Sequence, residues 1–356
     1  MPRLIKNKTG AASAGFDPRI LELAREHADG QKAEHLAGIM ATALQLGNDQ
    51  ATLADLKLFR RAFSEMRYAS SVFAKYTNTR KVAVFGSART KPDEADFKLA
   101  VEFAAKMVER GFMIITGGGD GIMGAAQQGA GAENSFGLNI RLPFEQRANE
   151  TIDGDPKLIN FNYFFTRKLH FLKETHAVVL FPGGFGTQDE GFEALTLMQT
   201  GKSQIVPVIL IDRVNGHYWE TWRRFLENDL LKLGLISPTD FHLFSITHSA
   251  DDAVAEVEKF YSVFHSYRWV REQMVIRLNH ALTEEGVAGL NDKFKELLVA
   301  GQIVQHPGPL PEEKDDVHLA GFKRLILTPD KHKFGLIRLL IDAINNAPTE
   351  KPSASV

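Results

Sequence analysis

Two short apolar runs in this chain each end in a glycine cluster that leads directly into a helix, and this restricts the fold more than any other feature. Ala177-Val178-Val179-Leu180-Phe181 runs into Pro182-Gly183-Gly184-Phe185-Gly186-Thr187-Gln188-Asp189-Glu190, and Phe112-Met113-Ile114-Ile115-Thr116 runs into Gly117-Gly118-Gly119-Asp120-Gly121-Ile122-Met123-Gly124. Lys81-Val82-Ala83-Val84-Phe85 is a similar run that ends at Gly86-Ser87, followed by a helix predicted over 93–110. Phe136 to Ile140 reads as a further strand, and so does Ile205 to Ile211, where Pro207 places the strand near an edge or starts it after the proline. Short apolar strands alternating with amphipathic helices predict an α/β fold, a Rossmann-like, mostly parallel sheet flanked by helices. Ligands of such sheets sit beyond the carboxyl ends of the strands, where both glycine clusters fall. Glycines let the backbone approach an anion, and a helix start leaves N–H groups without partners, so two such turns suit a phosphate-bearing ligand.

The flanking segments read as helical N- and C-terminal extensions. Over 1–79, Leu53, Leu56, Phe59, Phe63, Met66 and Phe73 recur at helical spacing and predict a packing face. The nucleotide-binding domain is expected over 80–264, and a mainly helical extension over 265–356. Within the latter, Val270 to Leu282 and Glu284 to Leu298 carry helical periodicity, Leu325 to Leu327 is extended, Phe334 to Ile344 is a last helix, and the tail beyond Ala347 is expected to fray.

Acidic residues number 44 and basic ones 42, so bulk charge supplies no field toward nucleic acid or an anionic membrane, and local donors must hold any phosphate. Cysteine is absent, which excludes disulfides, thiolate catalysis and zinc–sulfur sites and suits a reducing compartment. No long uncharged apolar run is present, and a cytoplasmic protein with no membrane partner is expected.

The cluster from Gly117 to Gly124 lacks both dinucleotide spacing and the Lys-Ser/Thr ending of a triphosphate loop; one phosphate fits it better than three, and a glycine-packed turn is the alternative. Thr187 and Glu190 match a capping box, which would use the carboxylate locally, yet the same acid is placed to meet a ligand hydroxyl or a water. Glu193 lies one helical step further on, and two nearby acids can raise one pKa. Arg167 and Lys168 fall in the first turn of a helix, where positive charge opposes the helix field and requires an anionic ligand, a carboxylate neighbour or solvent. The Ser87 hydroxyl is a phosphate donor if it has a chemical role. The histidines form no metal box, and His170 reads as a satisfied structural side chain.

The segment from Pro182 to Glu190 matches PGGxGTxxE, and that from Gly117 to Gly124 resembles its GGGxxGxMG partner. With Gly86-Ser87 and Arg167-Lys168, they make the chain resemble the LOG family, once labelled as lysine decarboxylases, over about Lys81 to Phe264. Leu138 to Gln146, with Asn149, is similar to a stretch of larger bacterial members. The resemblance implies hydrolysis of the N-glycosidic bond of a purine or cytokinin nucleoside 5'-monophosphate, such as AMP or a modified adenine nucleotide, to free base and ribose 5-phosphate. It implies Arg167 and Glu190 as the catalytic pair and phosphate held around Gly118, Gly119, Gly186 and Thr187, with Gly86, Ser87, Lys168, Gly183 and Gly184 completing the substrate site. It implies no cofactor or metal, and a homo-oligomer is expected. Compact cytokinin-activating members carry His-Glu where this chain has Phe165-Thr166, which bears on base preference.

Decarboxylation through pyridoxal phosphate needs a Schiff-base lysine, and neither glycine loop has one. In the implied hydrolysis, Glu190 stabilises the cationic sugar or orients water, and Arg167, too basic to donate a proton, holds phosphate or the leaving group. The alternatives are a non-catalytic nucleotide or molybdenum-cofactor-type carrier using the same cradle, and an assembly scaffold.

Overall fold

In the computed structural model, which describes residues 17–142, 147–313, 317–331 and 333–350, Asp17 caps α1 (Pro18–Arg25). Its carboxylate accepts from the Arg19 amide at 3.0 Å, and Pro18 occupies the first helical position, where no N–H is needed. α2 (Gly30–Asn48) and α3 (Leu53–Phe73) follow. The chain divides into two compact units, Met1–Ser64 and Glu65–Val356. The division falls inside α3 rather than near residue 79, and no second division falls near residue 264. The stripe expected to pack along α3 is largely exposed at Leu53, Leu56, Phe59 and Phe63; in the second unit the buried face is Glu65, Ala69 and Phe73.

The second unit continues with β1 (Lys81–Phe85), α4 (Ala95–Glu109), β2 (Met113–Thr116), α5 (Ile122–Ala130), β3 (Ser135–Ile140), β4 (Leu158–Phe161), α6 (Phe164–Glu174) and β5 (Ala177–Leu180). After these come α7 (Phe185–Gln199), β6 (Val208–Ile211), α8 (Tyr218–Phe225), β7 (Phe244–Thr247) and α9 (Ala250–Phe260). The strands form a seven-stranded sheet in the order β4-β3-β2-β1-β5-β6-β7, parallel throughout. β6 begins after Pro207, so the proline costs the ladder nothing. The expected strands are present; β4 and β7, the two edges, escaped sequence reading because Asn160 interrupts the first and Ser245 and Thr247 the second, so neither is a continuous apolar run.

Alternate residues of β1 enter two cores. Val82 and Val84 pack with Phe103 of α4 and Val257 of α9, while Ala83 and Phe85 pack with Phe73, with Phe171 of α6 and with Met198 of α7. β1 pairs with β2 on one side and with β5 on the other: Val82 is in register with both Ile114 and Ala177. The chain therefore reverses its direction of winding at β1/β5, and a crevice opens beyond the carboxyl ends of those two strands.

The region 265–356 is not mainly helical. β8 (Phe264–Val270), β9 (Gln273–Leu278), β10 (Leu298–His306) and β11 (Lys323–Pro329) form an antiparallel sheet in the order β10-β11-β9-β8, with α10 (Glu284–Lys293) and α11 (Phe334–Asn346) beside it. Val270, Met274, Leu278 and Leu282 lie four residues apart, a spacing that marks one face of a helix and, being even, one face of a strand equally well. A two-residue turn at Arg271 and Glu272, with Arg271 at φ 56°, selects the hairpin. Met274, Ile276, Leu278, Leu325, Ile337 and Ile341 join the core containing Val82, so this sheet shares its interior with the parallel one. The tail does not fray immediately after Ala347: the Thr283 amide donates to the Pro348 carbonyl at 3.0 Å and the Glu350 amide to Ala281 at 2.8 Å.

Candidate active site

The second glycine turn leaves the end of β5 and starts α7 earlier than the capping pattern predicts. Gly184, in extended conformation, is the N-cap, and no side chain caps the helix. Thr187 is therefore inside the first turn and Glu190 in the second, so the predicted capping box is not formed. A Cβ on Gly183 would overlap the Thr187 hydroxyl and come within 3.0 Å of the Ser87 amide nitrogen, whereas Gly184 and Gly186 face open space. Gly183 is thus required for packing, and Gly184 and Gly186 keep the uncapped helix start bare. These residues line a cavity of about 770 Å³, together with Gly86, Ser87, Arg167 and Glu190, a size within the range of small-molecule sites.

Glu190 is 7% exposed and meets the Arg167 guanidinium at 3.3 Å; Lys168 Nζ is 3.9 Å away. Burial raises the Glu190 pKa, against the opposing pull of Lys168 and Arg167. Burial likewise lowers the Arg167 pKa, partly offset by Glu190, although a guanidinium remains charged at any ordinary pH. The Arg167 guanidinium lies 5.2 Å from the Phe164 ring and 5.7 Å from that of Phe171, within the range of cation–π attraction. Its Nε is shielded from solvent and makes no hydrogen bond among the described residues. A buried donor left unmet costs about 1–3 kcal/mol, which a ligand acceptor can recover.

Lys168 does not line the cavity. Its ammonium binds Glu193 at 2.6 Å and Asp189 at 2.8 Å; burial alone would lower its pKa, and these two hydrogen bonds raise it instead. Glu193 is thereby occupied with Lys168, leaving Glu190 as the acid at the cavity wall.

Gly118 and Gly119 do not line the cavity either, whereas Gly117 does. The Gly118 amide donates to Thr116 Oγ1 at 2.9 Å, and Asn149 Nδ2 donates to the carbonyls of Gly118 and Gly119 at 3.1 and 2.9 Å. Gly121 has φ +65°, and a Cβ there would overlap the Ser87 carbonyl oxygen. The first cluster is therefore mainly a close-packed support for the β1 turn. Gly86 serves the same packing, since a Cβ would come within 2.7 Å of Ile122. Of the segment similar to larger bacterial proteins, Asn139, Ile140 and Leu142 line the cavity and residues 143–146 lie outside the described ones.

Ser87 joins the two loops: its amide donates to the Pro182 carbonyl at 3.1 Å, while its hydroxyl accepts from the Arg89 amide at 3.1 Å. His170 is structural, as expected. It is 1% exposed, and Nδ1 donates to the Thr166 carbonyl at 2.9 Å, since a carbonyl can only accept. Sequence reading missed Arg89, an exposed cation on the cavity wall, and Tyr218. Asp212, just after β6, accepts from the Tyr218 amide at 2.8 Å, and the Tyr218 hydroxyl donates to the Gly183 carbonyl at 2.5 Å. Tyr218 lies 35 residues from the turn it braces, so only Arg89, directly after Gly86-Ser87, had a local signal.

The fold and cavity define a parallel α/β protein with an anion-accepting helix start and a buried acid–guanidinium pair at the switch point of its sheet. Residues 123–257 match the family described as "Possible lysine decarboxylase". A cytokinin riboside 5'-monophosphate phosphoribohydrolase of Mycobacterium tuberculosis is 30% identical over 178 residues, 49% of this chain and 90% of that protein. One of Arabidopsis thaliana is 28% identical over 164 residues, 45% of this chain and 74% of its own. The solved molybdenum cofactor binding protein of Rippkaea orientalis aligns over 51% of this chain and 96% of its own at 21% identity, with a TM-score of 0.35. The chain belongs to the LOG family. Among the described residues, no helix is long and apolar enough to cross a membrane.

Proposed function

We propose that the protein is a nucleoside 5'-monophosphate phosphoribohydrolase, acting on AMP or a modified adenine nucleotide. The observation that carries this reading is the Glu190–Arg167 pair on the wall of the same cavity as the uncapped start of α7. The 5'-phosphate lies at the amides of Phe185, Gly186 and Thr187, where the helix field favours an anion, with Arg89 as a further cation. Glu190 faces the ribose: it accepts from the sugar hydroxyls, stabilises the positive charge that develops at C1', and orients the attacking water. Water adds its oxygen to C1', the C1'–N bond breaks with its electron pair going to the base, and the proton lost by water balances the one the base gains. Arg167 stabilises the anionic end without itself transferring a proton. The phosphate acts as a handle whose binding energy holds the ribose in place for attack.

The position of Lys168 supports hydrolysis over Schiff-base chemistry, because its amine is held between Asp189 and Glu193 off the cavity wall. Phe164, Phe165 and Leu169 remain exposed on α6, which favours association of copies of this chain, testable by light scattering. The functional test is incubation with separate nucleoside monophosphates and their parent nucleosides, followed by chromatography for free base and ribose 5-phosphate. Base release from the monophosphate and little from the nucleoside is expected; release from neither sinks the reading.

A further inference from the structure

The helix that presents Arg167 begins in an unfavourable electrostatic situation. α6 has no acidic residue in its first turn and no side-chain cap from its own N-cap residue, Tyr163, so the positive end of its helix field has no local anion; Arg167 and Lys168, its fourth and fifth residues, find their carboxylates on α7. The missing anion comes from elsewhere in the chain. Glu65 of α3 is 7% exposed, and its Oε2 accepts from the Asn162 amide at 2.8 Å and from Asn162 Nδ2 at 2.9 Å. Its Oε1 accepts from the Tyr163 amide at 3.3 Å and from the Thr166 hydroxyl. One carboxylate thus takes four donors from the entry and first turn of α6.

The acid is itself held in place. Ala69 and Phe73, one and two turns further along α3, are buried, and Phe73 stacks on Phe136 of β3 at 4.5 Å. Ser70 Oγ approaches His170 Nε2 at 3.4 Å, one turn beyond Thr166 on α6, so a second polar contact joins the same two helices. Thr166 directly precedes Arg167.

We propose that Glu65 is a positioning residue for Arg167: a carboxylate outside the parallel sheet's own connections fixes the start of α6, and thereby sets where the guanidinium meets Glu190 and the ligand. The proposal rests on the reading of Arg167 as a ligand-binding group. It follows that the part of α3 from Glu65 onward belongs to the active-site apparatus, although none of it lines the cavity.

The test is a double-mutant cycle of E65A with R167A, read both as AMP affinity by calorimetry and as base release. A positioning role predicts that E65A lowers the same parameter as R167A, by roughly tenfold, and that the double variant is no worse than R167A alone. Additive losses, or unchanged affinity and turnover in E65A, overturn it. E65Q, which keeps the side-chain shape and loses the charge, should fall between wild type and E65A. In E65A/T166E a carboxylate returns at the third position of α6, where a glutamate can serve the helix start; recovery of at least half the loss is expected, and no recovery in a folded protein counts against the proposal. Because affinity is read without turnover, a protein that binds AMP through Arg167 but releases no base would refute the hydrolase reading alone. Equal AMP affinity in wild type and R167A would overturn this proposal.

Discussion

The two glycine turns look alike in sequence and do different work in the structure. After β5, the turn is open: Gly184 and Gly186 face empty space, the helix start is uncapped, and the cavity lies against it. After β2, the turn is closed: Asn149 takes the carbonyls of Gly118 and Gly119, and Gly121 packs against the Ser87 carbonyl. Gly184 and Gly186 leave the helix start open in the first case, glycine allows backbone packing in the second, and what surrounds the turn decides between them. The closed turn supports the open one through Ser87, whose carbonyl accepts from Ile122 at 3.0 Å and whose amide reaches Pro182.

The largest expected effect comes from the acid that only the open turn presents. E190Q should reduce base release by roughly 10³-fold, the scale on which charge stabilisation and water activation act, with its melting temperature kept or raised. The raised pKa means that ionising Glu190 opposes folding as pH rises through its folded value, so removing the charge relieves a cost near neutrality. The same shift places the acid limb of the wild-type pH–rate profile above that of an ordinary glutamate, and E190Q should lack that limb. Full activity in E190Q would remove Glu190 from the mechanism.

A second pair of variants addresses the contrast itself. G121A, strained by its positive φ and its overlap with Ser87, should destabilise the fold by about 2–3 kcal/mol in urea titration. G186A lies in helical backbone with open space at the Cβ position, so it should leave stability equal or slightly higher while weakening AMP binding. The opposite pattern would reverse the assignments of the two turns. N149A should cost about 1–3 kcal/mol by leaving the Gly119 carbonyl of the closed turn without its donor, with thermal unfolding as the readout. Y218F is the mildest: loss of the hydroxyl that braces the Gly183 carbonyl should cost about 0.5–1.5 kcal/mol, seen as a several-fold fall in nucleotide affinity.

Much of the parallel sheet was legible because its strands are short apolar runs bounded by glycine, a pattern that tolerates few other structures. β9 was misread as helix because a spacing of four residues serves both periods, and the choice fell to the turn at Arg271. The catalytic candidates Glu190 and Arg167 were legible through motif resemblance, but whether Glu190 was free depended on where α7 began. Thr187 satisfied the capping pattern in composition while the chain had already turned helical at Phe185. Lys168 was identified as a site residue because it adjoins Arg167, yet neighbouring residues on a helix point in different directions, and it ends among Asp189 and Glu193 instead of at the cavity.

Local pattern determined the alternation of strand and helix in the parallel sheet and the positions of both glycine turns, and motif resemblance named Glu190 and Arg167 as candidates. Tertiary structure decided which turn stays open, which acid faces the cavity, and that Glu65 and Tyr218 brace elements far from them in sequence. Secondary structure depends on residues within a few positions of each other and leaves a trace in spacing. A carboxylate that caps another helix, or a hydroxyl that braces a distant carbonyl, is placed by the packing of the whole sheet and has no local pattern to read.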